Sequence, residues 1–107
     1  MLTLSETLVA EIGEVQRTFS AVKENETYDR ETFGDAELVL GGPQIWVRFL
    51  RERGKVFMEL RGNAGDWIDA NEVLERLNVY ASVKPPVPIT ELVTLVCSNA
   101  DKIKEII

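Results

Sequence analysis

The sequence predicts a single α+β domain, with an N-terminal helix, an antiparallel β-meander of three to four strands, and two C-terminal helices packed on one sheet face. Apolar residues recur at helical spacing near both ends of the chain, and apolar and polar residues alternate through its middle. Short glycine-containing turns separate the alternating runs. The chain has 107 residues, 45% of them hydrophobic, which is enough apolar material for one core. We therefore expect residues 1–107 to form one domain.

The first helix is predicted from a stripe of apolar residues that lie three or four positions apart. Its members are Leu4, Leu8, Ile12, Val15, Phe19 and Val22. Thr3 and Glu6 match a capping box, in which each side chain accepts a hydrogen bond from a backbone N–H at the helix start. The periodicity stops at Lys23, and the polar stretch that follows is predicted to be a connecting loop.

Three strands are predicted at residues 35–40, 44–51 and 55–61, joined by the turns GGPQ and ERG. In the second and third strands, alternate residues are apolar, which predicts one fully apolar sheet face. The remaining positions predict a mixed face, as expected of a sheet that helices cover on one side only. The mixed set comprises Trp46, Arg48, Leu50, Phe57, Glu59 and Arg61.

Two helices complete the predicted fold. Asp69 is a favourable N-cap for the first of them, which is expected to stop near Asn78. The prolines in VYASVKPPVP exclude a helix there and predict an extended spacer. The last helix is predicted from Ile89 to the end of the chain, with Thr90 as its N-cap.

The composition excludes several kinds of catalysis. The chain contains no histidine, so serine–histidine and cysteine–histidine mechanisms and histidine metal ligation are impossible. Cys97 has no residue near it that would favour the thiolate, and is predicted to be a buried structural thiol. Asp66 and Asp69 offer too few oxygen ligands for Mg²⁺ or Ca²⁺. We expect no catalytic residue, no metal and no cofactor.

The cellular compartment is predicted from two further features. A single cysteine cannot form an intrachain disulfide, which fits a reducing environment. No apolar run approaches the ~20 residues that span a bilayer, and the first residues include acids where a signal peptide is basic. These features predict a cytoplasmic protein with no membrane partner.

The net charge of −6 is unevenly distributed along the sequence. Residues 24–37 contain one arginine and six acids, which are Glu24, Glu26, Asp29, Glu31, Asp35 and Glu37. Such a segment is either a recognition surface that steers a basic partner or a solvated loop that keeps the protein soluble.

The hairpin at residues 45–61 contains two acids and five cations, which are Arg48, Arg51, Arg53, Lys55 and Arg61. Nucleic acid is disfavoured as a partner because a chain with a calculated pI near 4.7 is repelled by phosphates. The cations could instead block edge-to-edge aggregation, or pair with the acids of residues 24–37.

Aromatic residues suggest a contact surface on the mixed face. If that face is open, Trp46, Leu50 and Phe57 form an exposed apolar patch, and such patches usually mark a binding site. Trp46 and Trp67 are also residues of the type that dominates the energetics of protein interfaces. A homodimer that buries the patch against a second copy is an alternative.

Three stretches resemble the small immunity proteins of bacterial toxin systems. They are FGDAELVLGGPQIWVRFLRERGKVFMELR, the helix entry WIDANEVLERL and the final ADKIKEII. The resemblance covers about residues 33–77 and the C-terminal helix. It implies a cytoplasmic protein that binds a cognate toxin domain and blocks its active site, commonly with an acidic surface against a basic nuclease.

The sequence and the resemblance therefore predict a non-catalytic protein-binding module, and the resemblance implies the immunity type. The expected partner-binding residues are Glu24, Glu26, Asp29, Glu31, Asp35, Glu37, Trp46, Arg48, Arg51, Arg53 and Phe57. The alternative is a small-ligand binder or enzyme that uses the mixed face, in which Arg48 and Arg61 hold an anionic group.

Overall fold

Five strands and five helices make up the computed structural model, which describes residues 2–29, 31, 34–79 and 87–107. The strands are β1 (Val22–Asp29), β2 (Asp35–Gly41), β3 (Ile45–Glu52), β4 (Lys55–Gly62) and β5 (Ile68–Asp69). The helices are α1 (Leu4–Thr7), α2 (Val9–Phe19), α3 (Ala70–Arg76), α4 (Ile89–Ser98) and α5 (Ala100–Ile106).

The strands form one antiparallel sheet in the order β1-β2-β3-β4-β5, so each strand pairs with its neighbours in sequence. The turn between β3 and β4 consists of Arg53 and Gly54, both with positive φ (51° and 81°). Two residues of this kind form the turn whose twist matches that of a hairpin. The predicted α+β class and antiparallel meander are confirmed, as are the three predicted strands.

The predicted connecting loop after Lys23 is wrong, because residues 22–29 form β1 at the edge of the sheet. Val22 belongs to this strand rather than to the helical stripe, and its side chain is exposed. Polar residues dominate β1 because, among the described strands, only β2 pairs with it, and charged side chains protect an edge strand from aggregation. With β1 and the two-residue β5, the sheet has five strands instead of three or four.

Both long predicted helices are interrupted. The capping box at Thr3 and Glu6 is confirmed, but the backbone leaves helical geometry at Leu8, which separates α1 from α2. The C-terminal helix breaks at Asn99, whose side-chain amide donates a hydrogen bond of 2.8 Å to the carbonyl of Leu95. Asparagine competes in this way with the hydrogen bonds of the helix backbone. Three helices therefore follow the sheet instead of two.

The predicted caps agree with the structure except at α4. Asp69 caps α3 by accepting a hydrogen bond of 2.8 Å from the N–H of Asn71. The left-handed Asn78 (φ 57°) follows the end of the same helix. Pro88, not Thr90, is the N-cap of α4, and the Thr90 hydroxyl instead donates to Glu11. Most of the predicted proline spacer, residues 80–86, lies outside the described residues.

One apolar cluster joins the helices to a single face of the sheet. Leu38, Val47, Phe49 and Leu60 are fully buried on that face. The helices contribute further buried side chains to the same cluster, among them Leu4, Val15, Phe19, Val73, Leu74, Leu92, Val96 and Ile103. Among the described residues, no helix has the length and apolar character that would let it cross a bilayer.

Candidate functional site

The sheet face opposite the apolar cluster is open to solvent. Strand register places Trp46 beside Arg61, Leu50 beside Phe57, and Arg48 beside Glu59 on this face. Phe57 is 40% exposed, and the other five side chains are half-buried. We call this surface, formed by one set of alternate residues of β1 to β5, the open face.

Two tryptophans and two arginines alternate on the open face. The guanidinium carbon of Arg61 lies 4.5 Å from the ring centroid of Trp46 and 5.1 Å from that of Trp67. The guanidinium carbon of Arg48 lies 4.5 Å from the Trp67 centroid. We call these four residues the Trp–Arg stack. Each contact is within the range of a favourable cation–π interaction, so the side chains are held in place before any partner binds.

The backbone provides the room and the register for this stack. Pairing of Leu60 with Ile68 in β5 brings the preceding residue, Trp67, next to Arg61. A Cβ atom at Gly41 would lie only 3.0 Å from two ring carbons of Trp46, so this glycine leaves space for the indole. Trp67 was not among the predicted partner-binding residues, because β5 is too short to show the alternation of a strand.

Arg48 is already neutralised by carboxylates on the open face. Its Nε donates to Glu59 Oε1 over 2.7 Å, and Nη2 bonds to the same oxygen. Its Nη1 lies 3.6 Å from Glu37 Oε2. Pairing between the hairpin and the acidic segment, which the sequence analysis left open, therefore occurs between Arg48 and Glu37.

Arg61 differs from Arg48 because no carboxylate within the described part of the chain forms an ion pair with it. Its Nη1 donates to the Gly62 carbonyl over 3.2 Å. None of four surface pockets formed by described residues is lined by Arg48 or Arg61. This geometry does not favour the binding of one anionic ligand by both Arg48 and Arg61, because Arg48 already pairs with Glu59 and Glu37.

The open face is acidic overall, although β3 and β4 contain most of the basic residues. The strand register and the bulge in β1 place ten charged side chains on it. The cations are Arg48, Lys55 and Arg61, whereas the carboxylates are Glu24, Asp29, Asp35, Glu37, Glu52, Glu59 and Asp69. Folding thus brings most acids of the acidic segment and part of the basic hairpin onto one surface. The Trp–Arg stack lies at the β2–β3 turn end of this surface, and Asp29, Asp35 and Glu52 lie at its opposite end.

Two of the predicted partner-binding arginines lie elsewhere. Arg51 is only 5% exposed, and its side chain donates to the carbonyls of Gly34 (2.8 Å) and Leu2 (2.7 Å) on the helix side of the sheet. This burial removes Arg51 from the surface that a partner can reach. Arg53 is exposed in the β3–β4 turn, and its backbone N–H donates to Asp35 over 3.1 Å.

Among the predicted acidic residues, Glu26 also faces the helices. Its carboxylate accepts hydrogen bonds from the N–H (3.0 Å) and hydroxyl (2.7 Å) of Ser5, and Lys23 lies 3.4 Å away. Partial burial favours a higher pKa for Glu26, but Ser5 and Lys23 outweigh it and hold the pKa below its ordinary value. Asp29 and Glu31 are exposed, and Asp29 accepts a hydrogen bond from the Glu31 N–H.

Glu26→Gln is expected to reduce the loss of stability on acidification. A carboxylate with a lowered pKa in the folded protein stabilises the fold above its unfolded pKa, and this contribution disappears as the pH falls through the folded pKa. Thermal denaturation at about pH 6 and about pH 3 should therefore show a smaller decrease in the melting temperature for the variant than for the wild type. Glu24→Gln is the control on the same strand. Equal decreases for wild type and Glu26→Gln would contradict the role of the Ser5 contact.

Cys97 has the environment of a structural thiol. It is half-buried in α4, and burial raises its pKa, with Glu14 adding to this effect and Thr18 and Arg17 opposing it. The thiolate, which is the reactive form, is therefore depleted at neutral pH. No group of three or more cysteine and carboxylate side chains in residues 2–29, 31, 34–79 and 87–107 is arranged to hold a metal ion.

We predict slow modification of Cys97 by an aromatic disulfide reagent at about pH 8, because the thiol is protonated and partly shielded. The rate should be below that of glutathione under the same conditions, and it should rise to the glutathione rate when the protein is unfolded in denaturant. A native rate equal to or above that of glutathione would show that the thiol is activated.

Comparisons with protein-family models, with curated proteins and with solved structures gave no match to this chain.

Proposed function

We propose that this chain is a non-catalytic protein-binding module, and that its open face binds a basic protein domain. As its concrete form we propose the neutralisation of a cognate bacterial toxin domain, which the resemblance to small immunity proteins implies. The observation that carries the proposal is the Trp–Arg stack on a sheet face that also presents an excess of carboxylates.

The Trp–Arg stack supplies the residue types that dominate binding energy. Tryptophan and arginine are enriched among the few interface residues whose truncation costs more than ~2 kcal/mol. The cation–π contacts fix these side chains in advance, so less conformational entropy is lost when a partner binds. Leu50 and Phe57 extend the apolar area beside the stack.

The excess of carboxylates on the open face favours a basic partner. Seven acids face three cations, so the surface attracts a cationic domain and repels an anionic one. Toxin domains that cleave nucleic acid need a basic surface to bind phosphates. A protein that covers such a surface needs only complementary shape and charge, which is compatible with the lack of histidine.

The experiment pairs this protein with the product of a toxin-like reading frame encoded next to it. Growth of a host that expresses the toxin domain should be restored by the wild type and lost with Trp46→Ala or Trp67→Ala. Either substitution should weaken binding of the purified toxin domain by roughly 30-fold, equivalent to about 2 kcal/mol. Val9→Ala is the control, because Val9 is 67% exposed on α2, away from the sheet face.

Two results would argue against the proposal. Rescue that both tryptophan variants support as well as the wild type would place the binding surface elsewhere. A pull-down from the native cell that returned only nucleic acid or small metabolites would count against a protein partner altogether.

The charge of the open face also bears on the homodimer alternative. Two copies packed through this face would bring two sets of seven carboxylates together, which repel each other. We therefore predict that light scattering will give the mass of a monomer at micromolar concentration in buffer of low salt. A dimer that dissociates in Trp46→Ala would instead support self-association through the patch.

A further inference from the structure

One edge of the Arg61 guanidinium is unbonded. Its Nη1 donates to the Gly62 carbonyl, whereas its Nε and Nη2 form no hydrogen bond or ion pair within the described part of the chain. Among the described residues, no side-chain nitrogen is both shielded from solvent and without a hydrogen-bond partner. Solvent therefore reaches the Nε–Nη2 edge of Arg61.

Arg48 shows how the same edge behaves where a carboxylate is in reach. Its Nε and Nη2 both bond to Glu59 Oε1, and its Nη1 lies 3.6 Å from Glu37 Oε2. The difference arises from strand register, because Arg48 lies opposite Glu59 whereas Arg61 lies opposite Trp46. Arg61 is thus a cation that no described carboxylate neutralises, on a face that presents seven of them.

The two indoles of the Trp–Arg stack hold this guanidinium in place. Its carbon lies 4.5 Å from the ring centroid of Trp46 and 5.1 Å from that of Trp67. The donors of an arginine form a rigid planar fork whose spacing matches the two oxygens of a carboxylate. Because the fork is already positioned, little further side-chain entropy is lost when such a group binds.

We infer that the basic partner of the open face has an aspartate or glutamate whose carboxylate binds the Nε–Nη2 edge of Arg61. This inference rests on the proposed function, because it names a residue of the partner proposed there. The seven carboxylates of the open face repel a polyanion such as nucleic acid. They tolerate a single carboxylate within a basic surface, because the cations around that carboxylate face them.

Arg61 thereby distinguishes one basic surface from another. A uniformly basic partner would place a cation opposite Arg61, which costs repulsion and leaves the guanidinium unpaired in the interface. A partner with one correctly placed carboxylate avoids both costs. The carboxylates of the open face then supply general attraction, and Arg61 determines specificity and the orientation of the partner.

The first test uses sodium acetate and no partner protein. In a ¹⁵N NMR titration at constant ionic strength, with chloride as the reference, acetate should shift the Nε–H signal of Arg61. The Nε–H signal of Arg48 should not shift, because Glu59 occupies that edge. The absence of an acetate-specific shift at Arg61, or equal shifts at both arginines, would overturn the inference. So would binding of a single-stranded oligonucleotide that Arg61→Met abolishes, because the edge would then receive a phosphate.

The second test measures binding of the toxin domain encoded by the neighbouring reading frame. Arg61→Met should weaken binding about tenfold. Charge alone predicts the opposite, because the loss of a cation makes an acidic face more attractive to a basic domain. Arg61→Lys keeps the charge but lacks the planar fork, and should recover only part of the loss. Arg17→Met, which removes the same charge from an exposed position on α2, should bind within about twofold of the wild type.

Double-mutant cycles identify the partner's carboxylate. Each aspartate and glutamate of the toxin domain is replaced by alanine, alone and in combination with Arg61→Met. One replacement should weaken binding to the wild type about tenfold and have no effect on binding to Arg61→Met, whereas the others should be additive.

Two results of these cycles would overturn the inference and leave the proposed function standing. They are binding of Arg61→Met as tight as that of the wild type, and the absence of any toxin-domain carboxylate that couples to Arg61. Failure of the wild type to bind the toxin domain would instead overturn the proposed function, and the acetate titration would still decide whether Arg61 accepts a carboxylate.

Discussion

Arg51→Ala is expected to lower the free energy of unfolding by about 3 kcal/mol, the larger of the two stability effects predicted here. The buried guanidinium joins the carbonyl of Leu2, before α1, to that of Gly34, before β2. Its carbon also lies 5.8 Å from the Tyr28 ring in β1. Alanine would remove the donors to two carbonyls and leave a cavity beneath the C-terminal end of β3.

Chemical denaturation measures this effect, and two further variants separate its causes. Arg53→Ala removes an exposed arginine two positions away and should change stability by less than about 0.5 kcal/mol. Arg51→Met retains the apolar stem of the side chain and should recover part of the loss, because arginine stems pack like apolar chains. If Arg51→Ala and Arg53→Ala had equal free energies of unfolding, the hydrogen bonds from Arg51 to Leu2 and Gly34 would contribute nothing to stability.

Gly42→Ala is expected to destabilise the protein by about 2 kcal/mol through overpacking. A Cβ atom at this position would lie 2.6 Å from the Phe19 carbonyl oxygen and 2.8 Å from that of Ile45. Both oxygens belong to the backbone, so neither can move without shifting the end of α2 or the start of β3. The N–H of Gly42 also donates to the Ile45 carbonyl over 3.1 Å, which holds the turn in place.

Gly65→Ala provides the matched control for this substitution. No heavy atom lies within 4 Å of a Cβ at Gly65, and its φ is outside the left-handed region. Alanine there should leave stability unchanged or raise it slightly, because it reduces the conformational freedom of the unfolded chain. If the melting temperature decreased by similar amounts in both variants, the close backbone approach at Gly42 would be contradicted.

The parts of the fold that could be predicted are those with a complete local signal. The alternation of apolar and polar residues in β2, β3 and β4 predicts both the strands and their buried faces, because each of these strands buries one side. The capping box at Thr3 and the N-cap at Asp69 depend on residues three or fewer positions apart. Local chemistry alone determines such features.

The parts that could not be predicted depend on contacts between distant residues. The strand β1 is polar because it lies at the sheet edge, and only its pairing with β2 identifies it. The breaks at Leu8 and Asn99 interrupt apolar stripes that continue on both sides. Periodicity does not detect a change in backbone direction that leaves the apolar side facing the core.

The open face was partly predictable. Trp46, Arg48 and Phe57 were expected on the mixed face, and the structure places them there. Arg51 follows Ile45, Val47 and Phe49 in the alternation, so the pattern itself pointed it inward, although its charge suggested a surface residue. Trp67 joins the stack only through the pairing of β5 with β4.

The distribution of charge along the sequence differs from its distribution over the folded surface. Along the chain, an acidic segment precedes a basic hairpin, which suggests two separate surfaces. In the sheet, β1 and β2 lie beside β3 and β4, so most charges of both sets share the open face, whereas Glu26 and Arg51 face the helices. The result is one acidic surface with two aromatic anchors, which supports a basic partner.

The most direct measurement of the central claim uses the two tryptophans, which are the only ones in the chain and both lie in the Trp–Arg stack. An NMR spectrum of the ¹⁵N-labelled protein should show two indole N–H signals. On addition of the toxin domain encoded by the neighbouring reading frame, we predict that both signals shift, together with amides of β3 and β4. Binding that shifts only amides of α2, α4 and α5, with both indole signals unchanged, would contradict the claim that the open face binds the partner.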